Sequence, residues 1–494
     1  MPDPSDQSVR ELLDTIREQN PWRESGEVPP FLAPAMERPL ALALPGRLLD
    51  DRPRRYRLIL GPRRVGKTTV MYQTVRGLLK AGVAGSRLWW LRLDHPVLLK
   101  NWSLGDLVRA VLSTTRASEN TPAYIFLDEL VYAKDWDLWL KTFYDETWPI
   151  RVAATSSATA ALRERLHESG VGRWQDQYLA PFLFTEYLAL IGVMPRFEAE
   201  STLAATITAA MGLPEAWNGL APHRRRYMFV GGFPELLIHA SGARADDQTL
   251  LLQSQRVLRS DAVERAIYKD IPQAYGVNRP MLLERLLYVL AEQIGGILSP
   301  SSICGDLDGL SVPTFEAYLS YLERAFLVFT LPNYSESERA RQKRGRKLYF
   351  VDGAVRNAAL QRGLKPLSHP GEQGVLYENL AASHLHAASQ QDGVRLYHWR
   401  HRDDEVDLIY DHPESPLAFE IASSATHHVR GLTRLCERHP RFRGRCYVVA
   451  PEAEPVAPER SGDGIGSLPL DTLLIASGAF AERRLLQRLE PMSG

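Results

Sequence analysis

The chain of 494 residues is long enough for two to four domains rather than one core. Its 45% hydrophobic and 24% charged content is that of a soluble globular protein, and 59 basic residues against 59 acidic ones give a formal net charge of zero. That balance excludes a general polyanion binder, three cysteines exclude a disulfide framework or a cysteine-rich zinc module, and no apolar run is long enough to span a bilayer. The acidic N-terminus has no signal-peptide core, and the scarce cysteines fit reducing cytoplasm, so a cytoplasmic protein with no membrane partner is expected.

In chain order, residues 1–50 read as an arm: one helical stretch from Val9 to Gln19, then a proline-interrupted run from Pro21 to Pro45. A domain over 51–195 follows, in which apolar strands (56–60, 88–93, 123–127, 150–154) alternate with helical patterns (67–80, 103–115, 135–146). That alternation predicts a parallel sheet with helices on both faces. Between the first strand and first helix lies GPRRVGKT, comprising Gly61, Pro62, Arg63, Arg64, Val65, Gly66, Lys67 and Thr68, followed by Thr69. A glycine-rich loop in this strand–loop–helix setting turns backbone N–H groups onto phosphate oxygens. Lys67 then reaches the β- and γ-phosphates, and the Thr68 hydroxyl suits Mg²⁺. The expected ligands are therefore ATP and Mg²⁺.

The strand YIFLDE ends in two carboxylates. Asp128 is expected to hold Mg²⁺ and Glu129 to orient the attacking water. Thr155 and Ser156, ending the next strand, read equally as a γ-phosphate sensor or a helix N-cap. Arg173, in GVGRW, reads either as an arginine finger supplied across an interface, and thus catalytic, or as an ordinary ion-pairing arginine.

The order NPWR (20–23), GPRRVGKT, LRLDHP (91–96), FLDEL with DWDLWLK, ATSS, GVGRW, APFLFTEYL (180–188), GGFPELL (231–237) and IYKDI (267–271) resembles the bacterial and archaeal AAA-type ATPases that carry a C-terminal domain of unknown function. The resemblance covers nearly the whole chain. It implies a P-loop AAA-type ATPase domain followed by a C-terminal domain, and the residue pattern divides the rest of this α/β protein into a helical winged-helix-like domain over 196–344 and an α/β domain over 345–494.

Within the middle domain, residues 298–332 suggest a first short helix with Ile303 and Leu307, a turn at Gly309 and a second helix starting near Pro313 and Thr314. Glu316 and Glu323 against Arg324 give that second helix the wrong charge for lying on phosphates, so packing or a protein partner is favoured. The basic run RARQKRGRK follows. Its Arg339, Arg341, Lys343, Arg344, Arg346 and Lys347 place six positive charges in nine residues, where a wing hairpin would project. It reads as a DNA or RNA contact, or as a solvated turn balanced by Glu336 and Glu338.

Residues 374–450 resemble the PD-(D/E)xK nuclease fold. Glu378 lies on a helix, Glu405 and Asp407 share one face of a strand, and Glu420 lies on the next strand. Such carboxylates would bind Mg²⁺ for phosphodiester hydrolysis, but the lysine of the usual Glu-x-Lys motif is replaced by Ala422. No lysine follows Lys365, and the nearest cationic candidates are Arg430, His427 and His428. The site is therefore expected to be degenerate.

The function expected is Mg²⁺-dependent ATP binding and hydrolysis that drives a conformational or assembly switch, in nucleic-acid handling or defence. An ATP-regulated nuclease and a non-enzymatic nucleotide-gated module, acting through a protein partner or a homo-oligomer, are the alternatives.

Overall fold

The computed structural model describes residues 7–50, 52–156, 172–241, 248–339, 345–423 and 429–487. These form two compact units: one up to Leu179 together with Gln273–Gly276 and the chain from Leu485, the other comprising Ala180–Pro272 and Val277–Arg484.

The first unit opens with helix α1 (Gln7–Glu18) and helix α2 (Pro39–Leu49). A parallel sheet follows: β1 (Tyr56–Leu60), β2 (Leu88–Arg92), β3 (Ala123–Asp128), β4 (Ile150–Thr155) and β5 (Trp174–Tyr178), in spatial order β2-β3-β4-β1-β5. Helices α3 (Lys67–Lys80), α4 (Leu104–Thr114) and α5 (Trp136–Asp145) connect the strands. Every residue of β1 and of β3 is buried, Arg57 and Asp128 included, as in strands covered on both faces. The four strands and three helices expected here are present within a residue or so of their predicted bounds.

The expected arm is more structured than its prolines suggested. The Asn20 side chain donates to Trp90 O and accepts from Trp90 N–H, and the Trp22 ring is fully buried. Gln73 of α3 donates to the Pro34 and Met36 carbonyls, and Arg76 pairs with Glu37 at 2.8 Å. Backbone acceptors of an irregular segment are thus satisfied by side chains of a regular helix.

The second unit contains helix α6 (Pro280–Glu292), whose buried leucines 282, 283, 286, 287 and 290 fall at helical spacing. Two shorter helices follow, α7 (Pro300–Asp306) and α8 (Val312–Arg324), then an antiparallel pair, β6 (Val328–Pro332) and β7 (Arg346–Phe350). This hairpin spans the domain boundary expected at residue 344, and both its sides belong to one compact unit. Helix α9 (Pro370–Asp392) docks on β7 through the Asn379 side chain, which accepts from Phe350 N–H at 2.8 Å and donates to Phe350 O at 3.1 Å.

A second sheet completes the unit: β8 (Leu396–His401), β9 (Asp404–Tyr410), β10 (Leu417–Ile421), β11 (Cys446–Ala450) and β12 (Ile465–Pro469), in order β12-β11-β10-β9-β8. Strands β10, β11 and β12 are parallel, and β9 runs antiparallel to both its neighbours. Helix α10 (Arg430–Arg438) covers this sheet with Leu432 and Leu435.

Candidate nucleotide site and an ion cluster

The phosphate loop leaves the C-terminal end of β1, and Asp128 ends β3, with β4 between them. Ligands of open parallel sheets bind at this edge. Gly61 is required by a close approach: a Cβ there would collide with the Leu179 carbonyl oxygen. Gly66 adopts φ 88°, a left-handed conformation that suits glycine, immediately before α3. Lys67 is buried, and its ammonium donates to the carbonyls of Gly61 at 2.9 Å and Pro62 at 2.7 Å, so it is held inside the loop.

The Thr68 hydroxyl lies 3.2 Å from Asp128 Oδ1. Glu129 follows in a left-handed conformation (φ 57°), and the Ser156 hydroxyl donates to its Oε2 at 3.4 Å. Burial, then the charge of Glu129, pushes the Asp128 carboxyl up to about 7, with Asp94 contributing in the same sense. A buried carboxyl beside a hydroxyl, with a second carboxylate next in the chain, is a hard-oxygen set of the kind that suits Mg²⁺. Thr155 instead donates to Ile59 O at 3.2 Å, tying β4 to β1, so Ser156 is the hydroxyl nearer the acids.

Arg173 lies elsewhere. Its carbonyl accepts from Tyr56 N–H at the start of β1, the end of the sheet away from the loop. Its guanidinium makes two bonds to Asp145, at 2.8 and 3.1 Å. Five strand residues separate the two ends, roughly 17 Å, so Arg173 does not reach the phosphate loop of its own unit. One contact escaped sequence reasoning: buried Arg38, from the arm, donates to Val65 O in the loop at 3.0 Å.

In the second unit the carboxylates expected to converge do so, but around a lysine. Lys347 is 1% exposed, and its Nζ lies 2.5 Å from Glu405, 2.8 Å from Asp407 and 3.5 Å from Glu378. Asp407 Oδ2 accepts from Ile421 N–H at 2.9 Å, and Glu378 Oε1 accepts from the Tyr349 hydroxyl at 2.7 Å. Glu420 feels the charges of all four ion-pairing groups. Burial, then Asp407, raises the carboxyls of Glu378 and Glu420; burial opposes the charge on Lys347, but Asp407, Glu378 and Glu405 together outweigh it and raise its pKa.

Two expectations are corrected by this arrangement. Lys347 is not a surface contact for nucleic acid, because β7 turns it inward, and Arg346 is engaged by Glu316 at 2.7 Å. Arg339 lies among the described residues, whereas Arg341, Lys343 and Arg344 lie outside them. The second correction concerns the missing lysine: the cation at the carboxylates comes from upstream of them in the chain, from Lys347. Arg430 pairs with Asp404 at 2.7 Å, and His427 and His428 lie outside the described residues. Ala422 packs in an apolar cluster with Val406, Leu432 and Val448.

Residues 53–188 match the AAA domain. The match supports an AAA-type ATP-binding domain in this chain. Residues 222–365 and 373–471 match two domains of unknown function, DUF8612 and DUF4143. An uncharacterized protein of Haemophilus influenzae is 21% identical over 394 residues, covering 78% of this chain and 88% of that protein. Another, from Methanocaldococcus jannaschii, is 24% identical over 348 residues, 69% of each. Among solved structures, a Walker-type ATPase of Pyrococcus abyssi is 14% identical, covering 64% of this chain and 94% of that one with a TM-score of 0.39. The ORC2 protein of Aeropyrum pernix, in ADPNP–ADP complexes, is 12% identical, covering 73% and 97% with a TM-score of 0.36. No helix among the described residues is long and apolar enough to cross a membrane.

Proposed function

We propose that the first unit binds and hydrolyses ATP with Mg²⁺, and that the cycle switches the conformation or assembly of the protein. The observation that carries this reading is the meeting of Thr68 with Asp128, with Glu129 next in the chain and Lys67 in the loop. Thr68 and Asp128 would hold the metal, which when bound neutralises charge on the β- and γ-phosphates. Lys67 would exchange its loop carbonyls for phosphate oxygens. Backbone N–H groups from Gly61 to Thr69 would cradle the phosphates. Glu129, restrained by Ser156, would orient the attacking water and accept its proton. An arginine finger role for Arg173 would require delivery to a second copy of the chain.

The paired helices α7 and α8 with the β6–β7 hairpin support a winged-helix reading of that segment, and the five-stranded second sheet with α9 supports a nuclease-like one. Nucleic-acid handling in the cytoplasm is the output we assign to the switch. The test is turnover with and without DNA or RNA, together with Lys67→Ala and Glu129→Gln. Lys67→Ala should abolish binding or turnover. Glu129→Gln should bind ATP and hydrolyse it slowly, and full turnover in that variant would refute the role of Glu129.

A further inference from the structure

The nuclease-like resemblance of the second sheet implies a divalent cation among Glu378, Glu405, Asp407 and Glu420. The residues present do not fit one. The Lys347 ammonium stands where three of the carboxylates converge, within 2.5 to 3.5 Å of each. A dication would need oxygen ligands at roughly 2.0–2.6 Å, in space the ammonium already takes, and would meet its charge at contact distance. The acceptor positions are also committed: Asp407 divides its oxygens between Lys347 and Ile421 N–H, and Glu378 Oε1 takes the Tyr349 hydroxyl.

We propose that Lys347 is the resident cation of this site, a covalently tethered ammonium in the place of a divalent ion. The substitution has a topological side. A metal would join only α9, β9 and β10, whereas the lysine also brings in β7 and so fastens the β6–β7 hairpin to the second sheet. Its position is prepared from both directions: Asn379 of α9 grips the Phe350 backbone three residues beyond Lys347, and Tyr349 reaches Glu378 from the same strand. An ammonium provides neither an open coordination position nor a Lewis acid, so the cluster is a charge-paired joint rather than a hydrolytic centre.

Mn²⁺ binding to the full-length, nucleotide-free protein, counted by electron paramagnetic resonance, tests this. Wild type and Asp407→Asn should bind the same number of ions, and EDTA should leave the wild-type melting temperature unchanged. Lys347→Met, which removes the charge and keeps the stem, should gain one ion that wild type does not bind, because an adjacent like charge has gone. That gain should vanish in Lys347→Met/Asp407→Asn. An ion bound by wild type and lost in Asp407→Asn would overturn the proposal, and that comparison decides the matter even if Lys347→Met does not fold. A folded Lys347→Met that gains no ion would overturn it equally.

Discussion

The Thr68 hydroxyl and the Asp128 carboxylate are 60 residues apart in sequence and 3.2 Å apart in the fold. They join the first turn of α3 to the end of β3. Their hydrogen bond sets how the phosphate loop faces the acidic strand end.

Asp128→Asn should lower kcat by about two orders of magnitude or more, since a lost metal contact removes several kcal/mol of transition-state stabilisation. Phosphate release at saturating ATP and raised Mg²⁺ measures this. Nucleotide binding, followed by a fluorescent analogue, should persist in the variant. Near-normal turnover would move the metal-holding role away from Asp128.

Arg38→Ala removes the donor to Val65 O and leaves that buried carbonyl without its side-chain partner. A cost of about 1–3 kcal/mol is expected in chemical denaturation. The loop should also be less ordered, so KM for ATP should rise more than kcat falls. An unchanged KM would make Arg38 a purely structural clamp.

Lys347→Ala leaves Glu378, Glu405 and Asp407 facing one another around a buried space. Removing one partner of a buried ionic cluster costs about 3–5 kcal/mol, and Lys347→Ala/Asp407→Asn should recover part of that loss. Urea melts of the single and double variants measure the coupling, and strictly additive losses would argue against a direct interaction.

His384 is buried on α9, with Nδ1 at 2.9 Å from Leu380 O and Nε2 accepting from Phe184 N–H at 2.9 Å. These contacts select the neutral ring, because a protonated Nε2 would point a hydrogen at another donor. Burial lowers its pKa from 6.5 to about 4. The unfolded chain therefore takes up a proton below 6.5 that the folded chain refuses. Stability contributed by this residue is complete above pH 6.5 and falls as pH drops towards 4, by at most about 1.4 kcal/mol per pH unit. His384→Gln, which can still accept from Phe184, should flatten the loss of melting temperature between pH 6.5 and 4. An unchanged slope would assign it to other groups.

The first sheet was readable because its inner strands are mainly apolar and because the phosphate loop is a local pattern. Strand β5, with the sequence WQDQY, was missed: most of its residues are only partly buried at the sheet edge, so nothing apolar marks it. The carboxylates of the second sheet were legible from strand alternation and from resemblance. Their lysine was not, since it entered the reading as one charge in a basic run. The local signal was period two: Lys347 and Tyr349 share a face of RKLYF, and Lys347 opens the apolar stretch that makes the strand. Charge counted along a run does not distinguish a residue pointing inward from its outward neighbour.

The arm also bears on where the first unit begins as a folding entity. The AAA match starts at residue 53, whereas Trp22 sits edge-on to Tyr72, and Tyr72 stacks on Trp90 with 3.8 Å between ring centroids. A chain trimmed to the matched residues would open an aromatic slot over α3 and strip Asn20 from the Trp90 backbone. The matched segment and the packed one therefore have different first residues, and a truncated ATPase fragment should be cut ahead of α1 rather than ahead of β1.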